Sequence, residues 1–255
     1  MEDRQTNYTI SEGYELPSRG LIYDKQVDSH VELRSMTARD EMKRCAPTTA
    51  QFKLLSDLIE GCLIEKPAVH VYDMALGDYE FLLHKLRVVT YGDEYAVTLK
   101  CPYCGESFDS EIHLDDLTVK EFDLDKFNEL REFTLPVSKN LIKLKFQTPR
   151  MLDEAEALVK EMKRKYKDAE IDFNLMITLQ QLIDTVDGNK LKAVELESFI
   201  NKLPAKDMMK ILNNIDKMNA VIGLDNKVSV TCPSCGGEVT TYFRFGQEFF
   251  RPTNI

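Results

Sequence analysis

The residues best equipped for chemistry lie in two short hooks, Cys101-Pro102-Tyr103-Cys104-Gly105 and Cys232-Pro233-Ser234-Cys235-Gly236. Each is a C-x-x-C pair followed by glycine. Thiolates at this spacing point at one tetrahedral metal, and zinc is the ion that all-sulfur sets of this kind hold. Proline stiffens the bend, and glycine permits the positive φ that turns the chain back. Four thiolates leave a zinc ion no open position, so such a site ties segments together and cannot activate water. The same turns could also stand without metal, or close as two disulfides. A redox dithiol fits poorly, because a thioredoxin-type pair opens a helix inside a βαβ unit, and these pairs sit between strands.

The flanking residues supply those strands. Tyr95, Val97 and Leu99 alternate before the first hook, and Val228 and Val230 before the second. Phe108, Ser110, Ile112 and Leu114 share a face after the first, as do Val239, Thr241, Phe243 and Phe245 after the second. Strand, knuckle, strand, twice over, is the pattern of a zinc ribbon. The spacing is unusual: Cys104 and Cys235 are more than a hundred residues apart, whereas an ordinary ribbon closes within about twenty. We read one four-cysteine site, Cys101, Cys104, Cys232 and Cys235, whose halves are parted by an inserted region. The expected fold class is α+β, a mostly helical protein with a split four-cysteine zinc ribbon. Its expected parts are an N-terminal strand-plus-helices region (1–93), a discontinuous ribbon (94–115 and 224–255) and an inserted hairpin and helical domain (116–223).

Helical and strand periodicity fills in the remainder. Residues 31–34 alternate as a strand. Thr37 is placed to cap a helix carrying Asp40 and Glu41 in its first turn and ending near Cys45. Thr48 or Thr49 is expected to cap the next, whose apolar stripe is Phe52, Leu55, Leu58, Ile59 and Cys62. A helix over 73–91 follows, with Gly77 able to delay its start and Gly92 ending it. Residues 115–128 are acidic and partly helical, and 132–148 reads as a hairpin turning at Lys139-Asn140. Further helices are expected over 152–166, 173–185, 196–202 and 205–220, with a turn or short strand at 185–189. Asp207 suits the first turn of the last helix.

Composition narrows the function. The chain of 255 residues is 43% hydrophobic and 30% charged, and its net charge is −10. That charge argues against a nucleic-acid binder held by phosphate contacts. The N-terminus is polar, with no signal peptide, and no apolar run is long enough to span a membrane. Cys45 and Cys62 fit as buried small hydrophobes rather than ligands. His113 falls on the polar face of its strand and reads as a surface residue. Lys160, Lys163, Arg164, Lys165 and Lys167 form a basic helix end; most simply this is a solvated face at the negative pole of the helix dipole. Acidic pairs such as Asp115-Asp116 lack a partnered histidine and read as solubilising. Phe249, Phe250 and Arg251 are candidates for contact with a partner, two large rings able to plug a groove; the alternative is that the rings fold back on the ribbon. No H-E-x-x-H, G-x-S-x-G, Walker or G-x-G-x-x-G pattern is present, so nothing points to an enzyme or to a small-molecule substrate.

Three stretches taken together carry a resemblance. They are Leu16-Pro17-Ser18-Arg19-Gly20-Leu21-Ile22-Tyr23 with 31–36 and Asp40-Glu41 behind it; Gly77-Asp78 through Leu86-Arg87 to Tyr91-Gly92; and the split CPxCG pair with the Phe-Phe-Arg-Pro end. Over 14–115 and 224–252 the chain resembles the hub-assembly baseplate components of T-even-type contractile phages. The resemblance implies no catalytic residues. It implies a protein made in the host cytoplasm that helps to build the tail baseplate hub, with other tail and hub proteins as partners. The competing reading is a zinc-ribbon nucleic-acid accessory factor. Against it stand the net charge and the acidic strand residues Glu106, Asp109, Glu111 and Glu238.

Overall fold

The computed structural model describes residues 9–167, 172–243, 245 and 247–250. Strands β1 (Ser11–Glu15) and β2 (His30–Arg34) pair antiparallel. Helices α1 (Ala38–Arg44), α2 (Gln51–Cys62) and α3 (Leu76–Tyr91) follow. Then come β3 (Glu94–Lys100) and β4 (Ser107–His113), the hairpin around the first hook. Helix α4 (Leu124–Arg131) leads into β5 (Glu132–Thr134) and β6 (Leu141–Leu144). Helices α5 (Pro149–Lys165) and α6 (Phe173–Leu182) precede β7 (Ile183–Val186). Helices α7 (Ala193–Lys202) and α8 (Ala205–Ala220) lead to β8 (Lys227–Thr231) and β9 (Glu238–Tyr242), the hairpin around the second hook. The architecture is α+β, helices with small antiparallel sheets. Among the described residues no helix is long and apolar enough to cross a membrane.

Two apolar clusters organise the chain. One surrounds α3 and gathers Leu33, Ile59, Leu82 and Leu86 with Ile112, Leu224 and Phe243 from the two hook hairpins. The other lies on the sheet β5-β6-β7 and joins Leu135, Ile142 and Leu144 to Leu182 of α6 and Ile211 and Ile215 of α8. The clusters meet where α3 starts. There Gly77 lies so close to residue 222 that a Cβ on it would come within 2.5 Å of the Ile222 carbonyl oxygen. Only glycine allows two backbones to cross at that distance.

Local rules explain several starts and stops. Thr37 caps α1 in a reciprocal capping box with Asp40. Thr148 caps α5, with Pro149 at its first position, where a missing N–H is harmless; the helix therefore starts three residues before the expected 152. Gly92, at φ 87°, closes α3. Helix α8 runs over the expected 205–220.

Other boundaries are set at a distance. Among the described residues, helix α2 has no side-chain cap at its own N-cap position, and Thr48 bonds the Ala50 backbone. Asp153 on α5 replaces the expected Thr48 or Thr49 cap, accepting hydrogen bonds from the N–H groups of Phe52 and Lys53 at 3.3 and 2.7 Å. Likewise Asp207 accepts the Val137 and Ser138 N–H groups at the hairpin turn, both at 2.8 Å. The helix expected over 173–185 ends at Leu182, because Ile183, Thr185 and Val186 pair with β6 as a third strand. Cys62 is buried as expected, but Cys45 is exposed beside Glu41 and Arg44 at the end of α1.

Candidate metal centre

The two hook hairpins stack through a small cluster of Cys101, Phe108, Cys232 and Val239, edged by Leu99 and Val230. Stacking brings together four sulfurs from two segments more than a hundred residues apart. The Sγ atoms of Cys101, Cys104, Cys232 and Cys235 all lie within 4.8 Å of one another. Cys101 sits 3.6 Å from Cys235, and Cys104 sits 3.7 Å from Cys232. These separations are far longer than a disulfide bond of about 2.05 Å. Tetrahedral zinc with bonds of about 2.3 Å would set its sulfurs about 3.8 Å apart. The donor set and its spacing therefore fit a closed, all-sulfur metal site.

The hooks are near copies of one another. Cys101 N–H donates to Glu106 O, and Gly105 N–H to Cys101 O, at 2.8 and 3.0 Å. In the second hook, Cys232 N–H donates to Gly237 O and Gly236 N–H to Cys232 O, both at 2.9 Å. Gly105 and Gly236 take φ of 75° and 71°, the left-handed conformation that lets each chain turn back. In each hook the first cysteine is buried and the second exposed. Tyr103 lies over Gly237, where a Cβ would meet its ring at 2.6 Å.

The close sulfurs shift one another's ionisation in opposite directions. Burial opposes ionisation of Cys101, but the N–H groups of Cys104 and Tyr103 and the neighbouring thiols bring it down to about 7. At Cys104 a hydrogen bond from the Glu106 N–H favours the thiolate. Burial and the Cys101, Cys235 and Cys232 sulfurs outweigh it and push the thiol up to about 12. The shift at Cys104 opposes a full set of thiolates, whereas a divalent ion would deprotonate its thiol ligands outright.

The base of the hairpins is fastened to α3 by residues whose part in the site the sequence did not reveal. Arg87 is buried and donates to the carbonyls of Phe249, Gly92 and Glu94 at 3.1, 2.6 and 3.1 Å. Its guanidinium also lies over the rings of Tyr91, Tyr95 and Phe249. His84 stacks on Phe249 and bonds the Leu114 carbonyl, and burial holds its pKa down at about 4. Phe249 and Phe250 are 1% and 0% exposed and belong to the α3 cluster. They fold back on the base of the hook hairpins, the second of the two readings the sequence left open: Phe249 packs against Tyr95, Phe243 and Phe245, and Phe250 against Phe249. Arg251 lies outside the described residues. His113 is exposed and paired with Asp93 at 3.1 Å, so the structure places it away from the sulfurs as a surface residue.

The hooks tie two remote segments of the chain together. The model described as "T4 bacteriophage base plate protein" matches residues 14–251, and the chain belongs to that family. The match also spans residues 116–223, beyond the two stretches on which the resemblance rested. No curated protein and no solved structure matches the chain. The protein is thus a structural component of a phage baseplate, a setting in which its neighbours are other tail and baseplate proteins.

Proposed function

We propose that this chain is a non-catalytic assembly component of the baseplate hub. In this reading it is stiffened by one structural zinc ion on Cys101, Cys104, Cys232 and Cys235, and it acts through contacts with other hub proteins. The observation that carries the zinc assignment is the gathering of four sulfurs, at near-tetrahedral spacing, from hooks that are 128 and 134 residues apart in cross-paired sequence. The family carries the baseplate role. When bound, the ion would supply cross-linking alone, since four thiolates leave it no site for water or substrate. The parts of this reading are an N-terminal region (1–93), the split ribbon (94–115 and 224–255) and the insert (116–223). No observation favours the nucleic-acid alternative: Asp109, Glu111 and Glu238 on the hook strands are exposed and acidic.

Native mass spectrometry of the chain, purified alone and with the tail proteins of its phage, tests both halves. The expected result is one zinc per chain and a defined complex with hub proteins. A folded chain free of zinc would overturn the metal assignment. Failure to associate with any tail protein would overturn the assembly role.

A further inference from the structure

Two side chains of one helix grip both hook hairpins at their base. His84 and Arg87 lie three residues apart on α3 and so share a face. The first hairpin leaves α3 at Gly92 and returns at Leu114, just past β4. Arg87 holds the outgoing leg, donating to the Gly92 and Glu94 carbonyls at 2.6 and 3.1 Å. His84 holds the returning leg, its Nε2–H donating to the Leu114 carbonyl at 3.0 Å. The second hairpin meets the same pair through the segment after β9. There the Phe249 carbonyl accepts from Arg87 Nε at 3.1 Å, and the Phe249 ring stacks on His84 with centroids 6.3 Å apart. Phe245 meets His84 edge-on. The fourth leg, before β8, is fixed by backbone bonds, Lys120 N–H to Gly223 O and Asp225 N–H to Thr118 O, at 3.0 and 2.8 Å.

The sulfurs stand far from this anchorage. Backbone bonds of the first hairpin run from Asp93 and Leu114 at the base to Cys101 and Glu106 at the tip. Those of the second run from Asn226 and Phe243 to Cys232 and Gly237. At about 3.4 Å per residue, Cys101 lies roughly 27 Å and Cys232 roughly 20 Å along its strand from the base. On that length, a tilt of about 10° at the base displaces a tip by roughly 3.5–5 Å. The sulfurs of opposite hooks are 3.6 and 3.7 Å apart, so such a tilt is enough to part them. Besides Cys101 and Cys232, only Phe108 and Val239 are buried between the hooks among the described residues, which leaves the aim to the base.

The two side chains are suited to that task in different ways. Arg87 is 1% exposed and bonds three carbonyls, with no carboxylate beside it among the described residues. Burying a charge without a counter-ion is costly. A guanidinium repays that cost where its planar fork holds several acceptors in one fixed arrangement, which an apolar side chain or the single ammonium of lysine cannot do. His84 is fully buried and neutral, so its one N–H is committed to Leu114.

We propose that His84 and Arg87 are the positioning residues of the metal centre: by fixing the angle between the two hairpins at their base, they hold the four sulfurs at coordination distance and so set the affinity for zinc. Two halves of a chelating site bind more tightly when they are already held at the spacing the ion needs, because the second half then binds as an intramolecular partner at high effective concentration. The proposal rests on the zinc reading of the hooks and names the residues outside them that complete the site.

The test uses the full chain. Zinc affinity is measured by competition with a chromophoric chelator, and the geometry of the site by the visible absorption of the cobalt-substituted protein, whose intensity reports tetrahedral sulfur coordination. Arg87→Lys and His84→Leu are compared with the unaltered chain and with Ile59→Ala, which opens a cavity on the α2 side of the same apolar cluster. Hydrogen exchange at β6 and α8, in the other cluster, establishes that each variant is folded. The expected result is at least tenfold weaker zinc binding and weaker cobalt bands for Arg87→Lys and for His84→Leu. Ile59→Ala should keep the affinity and the spectrum while its melting temperature falls. Folded Arg87 and His84 variants that bind zinc as tightly as the unaltered chain overturn the positioning role and leave the zinc reading standing. Equal weakening by Ile59→Ala also overturns it, since affinity would then follow stability and not aim. An unaltered chain that binds no zinc overturns the metal reading and this proposal with it.

Discussion

Metal removal should unfold the hooks and nothing else. Two of the four buried side chains in the hook cluster are cysteines, so without a metal the stacked tips rest on Phe108 and Val239, edged by half-buried Leu99 and Val230. Ordering about a dozen hook residues costs on the order of 18 kcal/mol of backbone freedom. Burying the two apolar side chains offsets about 2 kcal/mol each and half-burying the other two about 1 kcal/mol each, and the four hook hydrogen bonds about 1 kcal/mol each. The remaining deficit is about 8 kcal/mol, which the roughly 10–16 kcal/mol that structural zinc contributes in zinc-finger peptides at neutral pH would cover. The large clusters around α3 and β6 contain none of the four hook cysteines, so chelation should leave them intact. The assay is hydrogen exchange read by mass spectrometry with and without a zinc chelator. Peptides covering 99–108 and 230–239 should lose protection by at least a hundredfold, while those from α3 and β6 should not change. Cys101→Ser should reproduce the chelated pattern. Hooks that stay protected in chelator would refute the deficit, and a single transition unfolding the whole chain would refute the claim that it is local.

Three further outcomes follow from the fold. Asp153→Ala removes the remote cap of α2 and the acceptor of the buried Tyr72 hydroxyl, 3.0 Å away; urea denaturation should show a loss of about 2–3 kcal/mol. Tyr72→Phe in the same background should then add little, and a fully additive pair would contradict the shared contact. Gly77→Ala should destabilise by about 2 kcal/mol despite alanine's better helix propensity, because the new methyl meets the Ile222 backbone and not a movable side chain; an unchanged melting temperature would refute the close crossing. Burial raises the Glu80 pKa from 4.5 to about 7, with Lys120 acting to lower it. The folded state therefore holds this proton more tightly than the unfolded state, and stability falls as pH rises from about 4.5 to 7. Glu80→Gln should stabilise the chain by about 3 kcal/mol at pH 8 and by under about 1 kcal/mol at pH 5. An equal effect at both pH values would remove the assignment.

What could be read from the sequence follows from what is local. The hooks, the Thr37 cap, the glycine stop at Gly92 and the bounds of α8 each depend on residues within a few positions of one another, and each stands as read. The cap of α2 depends on Asp153, about a hundred residues away, and leaves no mark at Thr48 or Thr49. The residues of β7 continue the apolar pattern of α6 so closely that only pairing with β6 decides where helix ends and strand begins. Phe249 and Phe250 look like surface anchors because they follow a glycine and precede a proline. Phe249 is buried against rings from α3 and from both hook hairpins, with Phe250 packed on it, an arrangement no local pattern encodes. Arg87 reads as a polar break in an apolar helix, and its three carbonyl acceptors are visible only once the chain has closed.

The distant fastenings share one physical device, and it bears on why such a chain suits a baseplate. Asp78, Asp153 and Asp207 are buried carboxylates that each accept two or more hydrogen bonds from a segment far away in sequence. Asp78 and Asp207 lie in the first turns of their own helices, where the dipole favours a negative charge and lowers the penalty of burying it. A buried charge that captures backbone N–H groups fixes relative position more sharply than apolar contact, because displacement leaves the carboxylate unpaired. These fastenings lie outside the hooks. On the proposed zinc reading, the body would reach its shape before the sulfurs meet an ion, and closing the hooks would stiffen one part of a frame already set. A protein that must offer fixed surfaces to several neighbours gains from that order, since the surfaces on the body do not depend on metal supply.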